Sequence, residues 1–312
     1  MRAFYCDHFV LPLPEGHRFP IEKYGLLRER VSALVELAVP GGATSAQLAE
    51  VHDGAYVRRV LEGTLRPDEV RCIGFPWSPQ LVERSRRSVG GTIAAGRAAL
   101  RDGYAANLAG GTHHAFQDRG GGFCVFNDVA VAVRALRAER RLRRCAVLDL
   151  DVHQGDGTAA IFAGDASVFT LSVHGASNYP FRKERSDLDI ELGDGAGDDA
   201  YLGAVERGLG AALAVPPDLA FFVAGVDGFE DDRLGRLSVS KRGMRERDAM
   251  VFDACGAVGA PVAIVMAGGY ARDVRDTVDL HAGTVLAAAA RCGPGAAGTE
   301  GAAADGGVAA RG

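Results

Sequence analysis

Two patterns alternate along the chain: short apolar runs, and longer stretches in which apolar residues recur with helical periodicity. The apolar runs predict buried β-strands at residues 2–6, 105–109, 145–150, 168–173, 219–226 and 262–267. The periodic stretches predict helices at residues 45–61, with Ser45 as the cap, and at 81–102, 127–141, 198–214, 241–258 and 273–290. Such alternation predicts an α/β fold with a central, mostly parallel sheet and helices on both faces. Ligands of these folds bind beyond the carboxyl ends of the strands.

Composition fits one domain and narrows the choice of partners. A chain of 312 residues with 47% hydrophobic content is long enough for one sizeable core, which we assign to residues 1–292. Residues 293–312 are rich in Gly and Ala, and we expect them to be disordered. The formal net charge of -5 lacks the basic excess of a nucleic-acid-binding protein. The arginine-rich residues 134–144 fit a solvated helix end.

The sequence also bears on location. No apolar run approaches the roughly 18 to 20 residues of a membrane span, and the first residues lack the apolar core of a secretion signal. The 6 cysteines are not spaced as CxxC and predict reduced thiols. We therefore expect a cytoplasmic protein that binds neither membrane nor nucleic acid. The oligomeric state is unknown at this point.

Residues suited to catalysis follow the predicted strands. If the strands are parallel, their carboxyl ends meet at one edge of the sheet. A polar residue at a single strand end would be weak evidence, but polar groups follow five strands. They are His113 and His114 with the glycines before them, Asp151 with His153, His174, Asp227, and Tyr270 with the glycines before it.

The segment Asp149-Leu-Asp151-Val-His153 indicates a metal site. In an extended chain these three polar side chains share one face, and two carboxylates so close favour a cation between them. Zinc accepts carboxylate and imidazole ligands and takes three protein ligands in catalytic sites. Asp151, His153 and Asp227 are the natural set. The alternative is an ordinary strand end with solvated acids, which the buried Leu150 between the two acids disfavours.

The tandem histidines and the tyrosine suggest roles around that metal. His113 and His114 suit general acid–base chemistry on a water molecule, and Asp149 and Asp156 could each orient one imidazole. Alternatively, only one of the two histidines is catalytic. Tyr270 could donate a hydrogen bond to a developing oxyanion; its alternative role is packing.

These residues lie in blocks that resemble the signature motifs of the zinc-dependent histone deacetylase superfamily. The blocks occur in the family's order and span the chain from roughly residue 1 to 290. They are residues 110–114 (GGTHH), 122–128 (GFCVFND), 149–158 (DLDVHQGDGT), 224–227 (AGVD) and 268–270 (GGY). Residues 90–93 (GGTI) and 173–183 (VHGASNYPFRK) resemble the class IV-type branch and its bacterial relatives.

The resemblance implies an arginase/deacetylase-type α/β fold, a catalytic domain at residues 1–292, and one zinc ion per chain. It implies roles for the following residues. Zinc would be held by Asp151, His153 and Asp227, and potassium by Asp149, Asp151, His153 and Ser172. His114 would be the general base and then acid, and His113 its cationic neighbour; Asp149 would orient His113 and Asp156 would orient His114. Tyr270 would polarise the acyl carbonyl, and Gly122, Phe123 and Gly268 would contact the substrate.

Two departures from the family pattern matter. Position 154 is Gln where many members carry a second His; because Gln154 has no ligand role, activity is still expected. The rim Asp that grips the substrate backbone in some members is not identified in this sequence, so the mode of peptide recognition stays open.

We therefore predict a zinc-dependent amidohydrolase that removes acetyl or longer fatty acyl groups from lysine side chains. An alternative substrate is an acetylpolyamine or another small acylated amine. Family members with such substrates often carry an added loop that narrows the entrance of the site, and the sequence has no long insertion between Gly63 and Gly90 to form one. A two-metal ureohydrolase is a second alternative, but it needs carboxylates at the positions of Gly155 and Phe229. A non-catalytic acyl-lysine reader is disfavoured by the complete set of catalytic residue types.

Overall fold

The computed structural model describes residues 1–292, and the predicted disordered tail at 293–312 lies outside the described residues. The strands are β1 (Arg2–Phe4), β2 (Glu36–Ala38), β3 (Tyr104–Asn107), β4 (Cys145–Asp149), β5 (Val168–Gly175), β6 (Leu188–Leu192), β7 (Leu219–Val223) and β8 (Val262–Val265). The helices are α1 (Lys23–Val31), α2 (Ser45–Ala49), α3 (Gly54–Glu62), α4 (Pro67–Ile73), α5 (Pro79–Asp102), α6 (Asp128–Ala138), α7 (Asp156–Phe162), α8 (Asp198–Ala212), α9 (Lys241–Ala257) and α10 (Val274–Ala289).

The strands form one 8-stranded sheet in the order β2-β1-β3-β8-β7-β4-β5-β6. Every pairing between these strands is parallel. The predicted α/β fold with a parallel sheet is therefore confirmed. Strand β4, which carries Asp149, lies between β5 and β7, and Asp149 is in register with Ser172 and Val223.

Helices cover both faces of the sheet, so successive side chains of a central strand pack into two different apolar cores. In β7, Ala220 and Phe222 join the apolar cluster that includes residues of α1, α8, α9 and α10. Leu219 and Phe221 join the opposite cluster, formed with α3, α5 and α6. Burial on both faces explains why the strand reads as an unbroken apolar run.

The helix predicted at residues 45–61 is wrong, because the segment forms two helices, α2 and α3. Thr44, rather than Ser45, caps α2. Asp53 caps α3, and its carboxylate accepts the N–H groups of Ala55 at 2.6 Å and Tyr56 at 3.2 Å. A short acidic side chain that binds these N–H groups favours a new helix start over continuation of the first helix.

Five elements were not predicted, namely β2, β6, α1, α4 and α7. Strands β2 and β6 form the two edges of the sheet and have half-exposed or exposed residues, so they lack continuous apolar runs. The three helices have at most nine residues, too few for a clear periodic pattern. In the described part of the chain, no helix is long and apolar enough to cross a membrane.

Candidate active site

A cavity of about 580 Å³ opens at the carboxyl ends of the central strands. The predicted site residues that line it are Gly122, Phe123, His113, His114, Asp151, His153, Asp227, Gly268 and Tyr270. Asp149 and Asp156 are buried behind the two histidines and hydrogen-bond to them. The sheet thus brings together residues that are far apart in sequence.

Asp151, His153 and Asp227 form a group that could hold a metal ion. One candidate ligand atom from each residue lies within 4.8 Å of the others. His153 Nδ1 lies 3.0 Å from Asp151 Oδ1 and 3.1 Å from Asp227 Oδ2. Burial and the charge of Asp151 together raise the pKa of Asp227 to about 6. Two buried carboxylates within 4.8 Å of each other repel, so a divalent cation would stabilise this arrangement.

Two glycines lie so close to the carboxylates of this group that no larger residue fits at either position. A Cβ atom at Gly268 would lie 1.9 Å from Asp227 Oδ2, and a Cβ at Gly225 would lie 2.1 Å from Asp151 Oδ2. The Gly268 N–H donates to Asp151 Oδ2 at 2.8 Å, which fixes the orientation of that carboxylate. One imidazole and two carboxylates are a donor set that zinc accepts in three-ligand catalytic sites.

Gly155 occupies the position where a two-metal ureohydrolase needs a carboxylate. A Cβ atom there would lie 2.3 Å from Asp149 Oδ2 and 3.3 Å from His113 Nδ1. Phe229, at the other position, is buried in an apolar core. Neither position supplies a ligand for a second metal ion.

His113 pairs with Asp149 behind the metal group. Its Nδ1 lies 2.7 Å from Asp149 Oδ2, and its Nε2 lies 3.9 Å from Asp151 Oδ1. Burial alone would lower the pKa of His113, but the two carboxylates outweigh it and raise the pKa to about 9. His113 is therefore cationic at neutral pH.

His114 pairs with Asp156 and has the opposite electrostatic character. Its Nδ1 lies 2.6 Å from Asp156 Oδ1, which also accepts the Gly157 N–H at 3.0 Å. Burial, with the positive charge of His113, lowers the pKa of His114 to about 4 despite Asp156. The ring is therefore neutral at pH 7. With Nδ1 bonded to the carboxylate, Nε2 is the nitrogen left to accept a proton.

Tyr270 lines the cavity on a loop fixed at several points. The Tyr270 N–H donates to Asp232 Oδ2 at 2.6 Å, and its carbonyl accepts from Arg233 Nε at 3.2 Å. Lys23 Nζ donates to the carbonyls of Ala267 and Gly269 and lies 5.3 Å from the centre of the Tyr270 ring. Burial raises the pKa of Tyr270 well above its usual value, so its hydroxyl remains protonated and can donate a hydrogen bond.

Gly122 and Phe123 form one wall of the cavity. Both have positive φ angles, 51° and 66°, and a Cβ at Gly122 would lie 2.5 Å from His114 Cδ2. The Phe123 ring packs 5.2 Å from Phe19 and 6.2 Å from Tyr270, measured between ring centres. Glycine at position 122 thus lets the wall approach the imidazole closely.

Sequence reasoning missed Tyr179 and Lys23. Tyr179 lines the cavity and packs edge-on against His114, with ring centres 4.8 Å apart. The sequence signals for Tyr179 are its place shortly after a strand end and its position within the block at residues 173–183. Lys23 is buried at the start of a helix that was not predicted, and its partners are 244 and 246 residues away in sequence.

His174 lies elsewhere than expected, and Gln154 and Ser172 are buried outside the residues that line the cavity. His174, expected beyond a strand end, lies inside β5, is fully buried and contacts Ser172 Oγ through Nδ1 at 2.9 Å. Gln154 is buried; its amide donates to the Glu184 carbonyl and to Asp189, both at 2.8 Å. Gln154 therefore stabilises the loop after β5. Ser172 is buried beside Asp149 in the sheet.

Comparisons with known proteins identify the family of the chain. Residues 18–285 match the family model described as histone deacetylase domain. An uncharacterized protein of Picosynechococcus sp. is 44% identical over 283 residues, which cover 89% of this chain and 94% of that protein. Histone deacetylase 2 of Arabidopsis thaliana is 33% identical over 270 residues, covering 82% of this chain and 68% of that protein. Acetylpolyamine amidohydrolase of Burkholderia pseudomallei is 33% identical over 192 residues, covering 56% and 54%.

Solved structures share the fold. The crystal structure of an HDAC homolog complexed with SAHA has a TM-score of 0.80 at 23% identity, with 93% of this chain and 84% of that chain covered. The HDA15 HD domain has a TM-score of 0.79 at 20% identity, with 93% and 88% covered. The predicted deacetylase-type fold is thereby confirmed.

Proposed function

The chain belongs to the histone deacetylase family, and from that premise we propose that it is a zinc-dependent amidohydrolase that removes acetyl or longer fatty acyl groups from lysine side chains. The observation that carries the proposal is the metal-binding group formed by Asp151, His153 and Asp227, which shares one cavity with His114 and Tyr270. A metal site, a neutral base and a hydrogen-bond donor together suit metal-assisted amide hydrolysis.

Zinc bound by these three side chains would act as a Lewis acid that lowers the pKa of water and polarises the acyl carbonyl. A set of three protein ligands leaves room for water or substrate, as in other catalytic sites. The rest of the chemistry belongs to the protein's own residues.

His114 moves the proton. Its Nε2 accepts a proton from the attacking water, while Asp156 stabilises the resulting positive charge through Nδ1. The water oxygen bonds to the carbonyl carbon, the C–N bond then breaks, and Nε2 returns the proton to the leaving amine. The products are a carboxylate and a free amine. His113, already cationic beside Asp149, provides a fixed positive charge close to the reacting oxygen.

Tyr270 donates a hydrogen bond to the carbonyl oxygen as negative charge develops there. The Asp232, Arg233 and Lys23 contacts hold the Tyr270 loop in place before the reaction. Such preorganisation is effective because the donor does not have to reorient in the transition state.

The substrate stem would lie between Phe123 and Tyr179, which both line the cavity. A channel lined by aromatic rings suits the apolar methylene chain of an acylated lysine. We favour acylated lysine side chains over acetylpolyamines as substrates. Only α4 and the first half of α5 lie between Gly63 and Gly90, so this region has no long loop that would narrow the opening of the cavity.

We propose further that a potassium ion is held near Asp149, Asp151, His153 and Ser172. Asp149 and Ser172 are buried register partners on neighbouring strands, and a monovalent cation would offset the charge of the buried acids. Replacing potassium by sodium or by a large organic cation in the buffer should then lower activity or thermal stability. We also propose a cytoplasmic location, with which the six free cysteines are consistent.

The variants His114→Ala and Tyr270→Phe test the proposed function. We expect both to lose turnover of acetyl-lysine peptides while retaining zinc, because neither side chain belongs to the metal group. Full activity in both variants would overturn the mechanism. Comparing acetyl-, decanoyl- and myristoyl-lysine peptides by kcat/KM identifies the preferred acyl length, and hydrolysis of none of them would contradict the proposed substrate class.

A further inference from the structure

The mouth of the catalytic cavity carries three exposed arginines, Arg18, Arg71 and Arg236. We propose that they bind a carboxylate of the substrate, so that the enzyme prefers acylated amines that carry a carboxylate close to the scissile amide. The inference rests on the proposed function, and it goes further by naming the charge of the substrate.

Arg18 lies at the wall of the substrate channel. Its guanidinium carbon is 5.6 Å from the centre of the Phe123 ring, the ring that we assign to the substrate stem. The adjacent Phe19 packs against the same ring, with centres 5.2 Å apart. A group bound by Arg18 would therefore lie just outside the channel.

Arg71 is held at the same wall by backbone hydrogen bonds. The Gly122 N–H donates to the Cys72 carbonyl at 3.1 Å, and the Phe123 N–H donates to the Ile73 carbonyl at 2.8 Å. These bonds join the end of α4 to the channel wall and keep Arg71 at the opening. Among the described residues, no carboxylate forms a salt bridge with Arg71 or with Arg18, whereas most other arginines of the chain have one.

Arg236 approaches the opening on another loop. Its guanidinium contacts Asp194 at 3.2 Å, and both side chains are about half exposed, at 54% and 48%. An exposed pair of this kind contributes little energy, so a substrate carboxylate can compete for the arginine. The Asn178 side chain donates to the Leu234 carbonyl at 2.9 Å and so connects this loop to the one that carries Tyr179.

Positive side chains dominate the mouth of the cavity, and carboxylates lie at its base. In the described part of the chain, the carboxylates that line it are Asp151 and Asp227, which we assign to the metal at its base. Asp194 pairs with Arg236, but Arg18 and Arg71 leave an excess of positive charge at the mouth, although the whole chain has a formal net charge of -5. Such a local field attracts anions and repels cations, and its effect weakens as salt rises. A cationic acetylpolyamine is the substrate that this mouth disfavours most.

Matched acetyl-lysine peptides with acidic, neutral or basic flanking residues test the inference. We expect kcat/KM for the acidic peptide to exceed that of the basic peptide on the order of tenfold at low ionic strength, with the ratio falling at high salt. Free Nε-acetyl-lysine, compared with its α-carboxamide, shows whether the substrate's own carboxylate is recognised. A higher kcat/KM for the more acidic member of either pair supports the inference. Equal values in both pairs, or a preference for the less acidic member, would overturn it.

Charge-reversal variants assign the effect to the arginines. The double variant Arg18→Glu/Arg71→Glu should invert the preference, whereas Arg207→Glu, an exposed position in the second half of α8, should leave it unchanged. Inversion by Arg207→Glu as well would attribute the effect to net charge and overturn the assignment.

Dissociation constants for the same peptides, measured with the His114→Ala variant, give the charge preference independently of turnover. If no peptide is hydrolysed by the parent enzyme but the acidic peptide binds most tightly, the proposed function fails and the inference about the mouth stands. If neutral peptides are hydrolysed and charge has no effect on binding or turnover, the inference fails alone.

Discussion

Replacing Asp156 by Asn tests how the protein stabilises the proton that His114 takes up. Asp156 Oδ1 lies 2.6 Å from His114 Nδ1 and 3.0 Å from the Gly157 nitrogen. An Asn oxygen can accept both hydrogen bonds, so the imidazole should keep the tautomer that leaves Nε2 free. The substitution therefore removes a charge and little else.

The size of the effect follows from the geometry. Two unit charges about 4 Å apart attract by about 4 kcal/mol at an effective dielectric constant of ~20. Asp156 is buried, with 4% exposure, so solvent screens this attraction weakly. We expect the transition state to lose about 2 to 4 kcal/mol, which corresponds to a decrease in kcat of roughly 30- to 1000-fold. KM should change little, because the charge on His114 develops only after the substrate has bound.

The assay is steady-state hydrolysis of an acetyl-lysine peptide, together with the zinc content and thermal unfolding of each variant. The matched control is Asp253→Asn, whose carboxylate is 70% exposed and pairs with Arg291 on the surface. An unchanged kcat in Asp156→Asn, with zinc retained, would refute the role assigned to this pair. A loss of kcat accompanied by loss of zinc would instead attribute the defect to the metal site.

Three further substitutions probe the rest of the site. Gly268→Ala puts a Cβ 1.9 Å from Asp227 Oδ2 and should weaken zinc binding roughly 10- to 100-fold, as measured by competition with a chelator. Gly122→Ala puts a Cβ 2.5 Å from His114 Cδ2 and should lower kcat/KM on the order of 100-fold while zinc stays bound. Lys23→Met removes the donor to two loop carbonyls and should lower the free energy of unfolding by about 1 to 3 kcal/mol in denaturant titrations, with a lower kcat.

Matched controls separate these effects from general damage. Gly283→Ala adds a methyl group in open space on α10, and Gly16→Ala shares the positive φ of Gly122 without a nearby atom. Both should retain zinc and activity. Lys23→Arg keeps a cationic donor and should recover part of the stability. Weak zinc binding in Gly283→Ala, or low activity in Gly16→Ala, would show that the effects do not come from the site contacts.

The central part of the fold could be predicted from the sequence because its strands are buried on both faces. Strand β7 reads as an unbroken apolar run for that reason. The edge strand β6 has half-exposed and exposed residues, and it shows no such run. The residues 45–61 form two helices because the Asp53 carboxylate starts a new one, a local competition that periodicity alone does not reveal.

The site residues likewise fall into those that a local sequence pattern predicts and those that depend on distant contacts. Asp151 and His153 could be predicted as candidate ligands because they directly follow the buried strand β4, which ends at Asp149, and Asp227 because it follows another buried strand. Lys23 depends on contacts with a loop more than 240 residues later, and Tyr179 depends on how the loop after β5 folds over His114. No local pattern encodes those contacts. The prediction for His174 is wrong because it ends the strand at residue 173. Strand β5 continues to Gly175 and keeps this residue inside the sheet.

The central claim is that one zinc ion, held by Asp151, His153 and Asp227, is required for amide hydrolysis. The most direct test measures metal per chain by mass spectrometry alongside deacetylase activity, before and after removal of metal by a chelator and stepwise return of zinc. We predict one zinc per chain, no activity without it, and full recovery at one equivalent. Two transition-metal ions per chain, or activity that persists in the metal-free protein, would contradict the claim.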